Sequence, residues 1–185
     1  MASSTRPAFA VWITGLPASG KSTLARALKA KLSERGVDAA VLESDSLRQL
    51  LEDHPRYDRA GRESFYRTMV LIGTILTEHG VPVIFDATAN RRQYRDRARR
   101  QIARFLEVYV DCPVGICESR DPKGIYRRAR EGQAADVPGL QDPYEPPETP
   151  DIVVHGASDP ADAAAARVIE KLVEKSYLLR TSARE

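Results

Sequence analysis

Two cysteines in 185 residues are too few for a disulfide framework. Cys112 and Cys117 also lack the paired spacing of a metal cluster, so both are expected to pack in a reducing compartment. Histidine is nearly as scarce, and His54, His79 and His155 stand apart without a ligand spacing. Long apolar runs are missing as well. No stretch approaches the roughly 20 residues that span a bilayer, and Met1 to Pro7 holds no apolar signal core. The expectation is a soluble cytoplasmic protein with no membrane partner. Charge of one sign is not in excess: 28 Lys and Arg against 26 Asp and Glu leave a formal +2, which argues against a nucleic-acid partner and for a small one. No internal repeat is present. The length suits a single domain over 8–180, with a flexible N-terminus over 1–7 and loose residues from Thr181 to Glu185.

What is present is concentrated near the start. Gly15-Leu16-Pro17-Ala18-Ser19-Gly20-Lys21-Ser22 fits the pattern G-x-x-x-x-G-K-[ST], preceded by the β-prone run Ala8 to Thr14. After it, Leu24, Ala25, Leu28 and Leu32 mark one helix face. Strand, glycine loop and helix are the context in which successive backbone N–H groups cradle phosphates. Residues Gly15 to Thr23 are therefore the candidate ATP site, with Lys21 on the outer phosphates and Ser22 as a Mg2+ ligand.

Downstream the chain alternates. Ala39 to Glu43, Val81 to Ala87, Phe105 to Asp111 and Ile152 to Val154 read as strands, and the periodicity predicts a long helix over 59–78 and a closing one over 160–177. With the first run this makes five strands. The pattern predicts an α/β, three-layer phosphate-loop fold on a parallel sheet. Ligands gather at the carboxyl ends of such strands, which places Asp45 where an acceptor hydroxyl or Mg2+ would sit. The plainer alternative is that Asp45 or Ser46 caps a helix whose Leu47, Leu50 and Leu51 face inward. Asp86 lies near the end of the third strand, as a residue near the magnesium, a substrate ligand or a turn residue before the next helix. The arginines at 91, 92, 95, 97, 99, 100 and 104 read mostly as a solvated face. The basic segment from Arg120 to Arg130 and the Pro- and Gly-rich stretch after it read as a lid, about 121–147.

These stretches together resemble the adenylylsulfate kinase family. The phosphate loop, Asp45 with Arg48, Phe105 to Asp111, Asp121-Pro122-Lys123-Gly124-Ile125-Tyr126 and Pro143-Tyr144-Glu145-Pro146-Pro147 carry the resemblance, which runs from Trp12 to Val154. It implies a five-stranded phosphate-loop kinase fold with a lid, Mg2+ with ATP as co-substrate, and phosphorylation of the 3′-hydroxyl of adenosine 5′-phosphosulfate in sulfate assimilation. A homodimer is also implied. By the same resemblance Asp45 engages the attacking hydroxyl and, with Ser22, magnesium. Arg48 and Arg62 bind the phosphosulfate end, Tyr57 lies against the substrate adenine, Lys123 is the lid lysine, and Arg67 and Arg92 are further basic positions near the substrate. The chain departs from the family at Glu43-Ser44-Asp45-Ser46 (usually Asp-Gly-Asp-Asn), at Phe65 (usually Asn), at Ala89 (usually Ser) and at Val137 (usually Phe). Two other readings stay open: a related kinase with another acceptor hydroxyl, favoured by Asp86-Ala87-Thr88-Ala89-Asn90, and a non-catalytic nucleotide-binding module.

Overall fold

A computed structural model describes residues 8–51 and 55–179. The expectations for 1–7, for Asp53 and His54, and for the residues from 180 onward lie outside the described residues. In chain order the elements are β1 (Ala10–Gly15), α1 (Lys21–Glu34), β2 (Ala40–Glu43), α2 (Ser44–Leu51), α3 (Arg59–Glu78), β3 (Val83–Asp86), α4 (Arg92–Gln101), β4 (Phe105–Asp111), α5 (Val114–Arg120), α6 (Ile125–Arg130), β5 (Ile152–His155) and α7 (Ala161–Glu174).

The sheet is parallel throughout, in the order β2-β3-β1-β4-β5. Its central strands are buried on both faces, which is why β1 reads as a continuous apolar run rather than an alternating one. On one face Val11, Ile13, Ile84 and Val108 pack under Leu24 and Leu28 of α1 and Val168 and Leu172 of α7. On the other, Trp12, Phe85 and Phe105 pack under Phe65, Tyr66 and Met69 of α3 and Tyr94 and Ala98 of α4. The helices that follow the neighbouring strands β1 and β3 thus lie on opposite faces, so the carboxyl ends of those strands open into a crevice. A third cluster, Cys112, Cys117, Tyr126, Ala129 and Val137, forms under the lid; both cysteines are free and buried there, as packing residues.

The stop signals act as read. Gly36 at φ +71° and Gly80 at φ +83° end α1 and α3. Two expectations are corrected at particular residues. In α2 only Leu47 packs on the core: Leu50 is 84% exposed and Leu51 49%, while Arg48 is the buried residue. In the arginine run around α4, Arg95 departs from the solvated reading that the others keep in whole or part. Arg95 is 1% exposed and bonds Glu107 Oε1 at 2.8 Å, the Ala89 carbonyl at 2.5 Å and the Glu145 carbonyl at 2.6 Å. Burying that guanidinium is tolerable because its donors are satisfied. Among the described residues no helix is long and apolar enough to cross a membrane.

Candidate functional site

The crevice is floored by the loop between β1 and α1. Gly15 adopts φ +152°, and a Cβ there would lie 2.5 Å from the Val110 carbonyl oxygen of β4, so only glycine lets the loop leave the sheet this closely. Gly20 caps α1 at φ +108° and Ala18 is held at φ +60°. The loop therefore presents backbone N–H groups and the α1 N-terminus to one point. Lys21 is buried and folds over the loop, its Nζ donating to the Leu16 carbonyl at 2.8 Å. The hydroxyl of Ser19 is fully buried and has no hydrogen-bond partner among the described residues.

Two carboxylates approach this loop from neighbouring strands. Asp86, at the end of β3 and 4% exposed, lines the same cavity as Ser22 of the loop. Burial pushes its carboxyl above the usual range, against the opposing pull of Lys21 and Ser22. Burial likewise lowers the pKa of Lys21, although Asp86 and Asp45 work the other way. Asp45 lies in the first turn of α2 and is not the cap of that helix. Glu43 takes this part, accepting from the backbone N–H groups of Asp45 at 3.4 Å and Ser46 at 2.9 Å and from the Ser46 hydroxyl. The carboxylate of Asp45 is left for another partner: Lys123 Nζ of the lid, 2.6 Å from Asp45 Oδ2 and 3.6 Å from Glu43 Oε1.

Around this pair lie two cavities. One, of about 610 Å3, runs along the phosphate loop to Arg120 and Asp159. The second, of about 710 Å3, is walled by Arg48, Tyr57, Arg62, Arg128 and Val137. Glu43, Ser44, Asp45, Thr88 and Lys123 line both. In the second cavity the Arg62 Nε donates to the Tyr57 carbonyl at 2.7 Å, and Nη2 to the Asp136 carbonyl at 2.5 Å. Tyr57, about half exposed, has the guanidinium carbons of Arg48 and Arg62 at 5.1 and 5.9 Å from its ring centre. The lid is folded onto the loop. Tyr126 donates its hydroxyl to the Pro17 carbonyl at 3.0 Å, Gly139 packs on Leu16, and the tail is fastened by Asn90 to Asp142 at 2.6 Å and Thr14 to Tyr144 at 3.0 Å.

The structure thus gathers Gly15 to Thr23, Asp45, Arg48, Tyr57, Arg62 and Lys123 around one crevice. Arg67 and Arg92 stand apart from it. Arg67 is exposed on α3 and lines neither cavity, and Arg92 pairs with Glu148 beside the lid tail. Three features had no adequate signal in the linear pattern: the Glu43 cap, the burial of Asp86 at the phosphate-loop cavity, and the Phe65 ring beneath Arg48. Asp86 could have been ranked higher, because it ends a strand adjacent to the loop-bearing one.

Comparison with known proteins bears directly on this crevice. The family model described as adenylylsulphate kinase matches residues 7–155. The adenylyl-sulfate kinase of Microcystis aeruginosa is 38% identical over 91% of this chain and 93% of its own length. That of Synechococcus sp. strain JA-3-3Ab is 39% identical over 91% and 96%. Among solved structures, the APS kinase of Mycobacterium tuberculosis in complex with AMPPNP and APS superposes with a TM-score of 0.85 at 35% identity, covering 90% of this chain and 98% of that one.

Proposed function

The chain belongs to the adenylylsulphate kinase family, and on that premise we propose that it transfers the γ-phosphoryl group of ATP to the 3′-hydroxyl of adenosine 5′-phosphosulfate. The observation that carries the reading is the meeting of two cavities at Asp45 and Lys123. A donor and an acceptor in adjoining cavities can react directly, with no covalent enzyme intermediate.

In this reading the triphosphate lies along Gly15 to Thr23. Its charge relieves the desolvation of Lys21, whose ammonium moves from the Leu16 carbonyl to the outer phosphates. The acceptor enters between Tyr57 and the lid. Arg48 and Arg62 take its phosphosulfate oxygens as planar forks, and Tyr57 offers a face to the base. Its hydroxyl displaces Lys123 from Asp45, which orients it and accepts its proton, while Lys123 turns toward the transferring phosphoryl group.

The residues present fit a magnesium ion. The Ser22 hydroxyl, the buried Asp86 carboxylate and Asp45 line one cavity, a set of hard oxygen donors of the kind Mg2+ takes alongside substrate phosphates. When bound, the ion offsets charge on the β- and γ-oxygens.

The test is ATP turnover with adenosine 5′-phosphosulfate and a panel of other nucleotides and small hydroxylic anions as acceptors. Adenosine 5′-phosphosulfate is expected to give the 3′-phosphorylated product, and Lys21→Ala to abolish it. Turnover confined to another acceptor sinks the assignment.

A further inference from the structure

Helix α2 is packed against expectation, with its arginine buried and Leu50 and Leu51 outside. Arg48 is 3% exposed while Leu50 is 84% exposed. Burying a guanidinium among apolar side chains costs desolvation, and the compensation here comes partly from aromatic faces. The Arg48 guanidinium carbon stands 3.8 Å from the ring centre of Phe65 and 5.1 Å from that of Tyr57. Arginine suits this arrangement, being planar and weakly hydrated. The cation–π contacts hold the guanidinium beside the two rings at the wall of the acceptor cavity. Arg48 Nη1 reaches the Arg56 carbonyl at 3.1 Å.

Phe65 differs from Tyr57 in one respect. Tyr57 walls the acceptor cavity, and so does Arg48; Phe65 does not. It lies beneath Arg48, 2% exposed, with its edge against the Tyr66 ring at 5.3 Å and 70°. Tyr66 is itself held, stacked on Tyr94 at 4.7 Å and accepting from the Ala89 N–H at 3.0 Å. The ring under Arg48 is therefore a fixed surface braced by α4 and by the turn after β3.

We propose that Phe65 is a positioning residue for the acceptor, holding the Arg48 guanidinium by a cation–π contact in a fixed place at the wall of the cavity that takes the anionic end of the substrate. The inference rests on the reading that Arg48 grips the phosphosulfate group. A flexible arginine would have to be ordered on binding, whereas a stacked one is ordered beforehand, and the difference falls on acceptor affinity.

Steady-state kinetics on the full chain tests this. Phe65→Leu is expected to raise KM for adenosine 5′-phosphosulfate about three- to thirtyfold, the range of a desolvated cation–π contact, with kcat and the KM for ATP within about twofold of wild type. Because leucine also alters packing, a second series replaces Phe65 with mono-, di- and trifluorophenylalanine, which drain the ring face of negative charge at nearly constant shape. A stepwise rise in acceptor KM with fluorination supports the proposal. A flat series overturns it, and Arg48→Gln tells which step failed. If Arg48→Gln raises acceptor KM while the fluorinated series is flat, Arg48 grips the acceptor without help from the ring. If Arg48→Gln leaves acceptor KM unchanged, the reading of Arg48 falls and the role of Phe65 with it.

Discussion

Asp45 and Lys123 hold the catalytic question at the scale of single residues. Their 2.6 Å contact joins the lid to the floor of the site, and each group lies where the other cavity begins. A carboxylate held against the lid ammonium is aimed before any substrate arrives, which suits a group that must receive a proton. Asp45→Asn keeps the shape and a hydrogen bond to Lys123 but removes the proton acceptor. The expected outcome is a fall in kcat of about 10²- to 10⁴-fold with ATP affinity within a few-fold of wild type, measured by turnover and by calorimetric titration. Equal losses in both would mean that Asp45 serves nucleotide binding instead.

At the scale of elements, the helices that position the site depend on close approaches to the sheet. Gly73 of α3 sits against the Phe85 ring of β3, and a methyl group there would run into it. That ring cannot withdraw, since it is stacked on Trp12 at 4.5 Å and 18°. Gly73→Ala gains about 1 kcal/mol of helix propensity but suffers overpacking of about 1–3 kcal/mol. Against a rigid ring the second effect wins, so thermal unfolding should show a lowered Tm. Gly73→Ala with Phe85→Leu should recover part of the loss, which separates the clash from any other effect of the alanine. Element type was legible from local pattern wherever an element buries one continuous stripe. The long helix over 59–78 and the strand from Phe105 to Asp111 were read at their observed bounds. Helix α2 departs from its leucine spacing at Leu50 and Leu51, because the buried position beside Leu47 is taken by an arginine set against a ring 17 positions away. No local rule prices that contact. Arg95 was misread for the same reason: its partner Glu107 belongs to another element.

On the scale of the whole molecule, a charged network ties the sheet edge to both layers of helices. Arg95 and Arg99 of α4 bond Glu107 of β4, and Asp151 accepts the Glu107 N–H at 2.8 Å and pairs with Lys175 at 2.9 Å. Burial alone would raise the pKa of Asp151, but the backbone N–H of Glu107 and the ammonium of Lys175 outweigh it and hold the carboxyl below its ordinary value of 3.8. A depressed carboxyl contributes stability that is complete above the unfolded-state pKa and lost as pH falls through the folded one. Asp151→Asn should therefore cost about 1.5–3 kcal/mol at neutral pH, the range for hydrogen bonds to a charged group. The gap from wild type in denaturant unfolding should close as pH drops below about 4. A gap that stays constant with pH would assign the cost to shape and not to charge.

The sequence by itself determined what depends on neighbours along the chain. The glycine loop between a buried strand and an amphipathic helix, the alternation that makes a parallel sheet, and the stops at Gly36 and Gly80 are all written within a few residues of where they act. The tertiary structure alone decided which side chains share the crevice. Asp45 meets Lys123 from 78 positions away, Arg62 meets the Asp136 carbonyl from 74, and Arg67 and Arg92, equally basic on paper, end up outside. Charge and size can be read residue by residue, but desolvation and direction exist only once the chain has closed on itself.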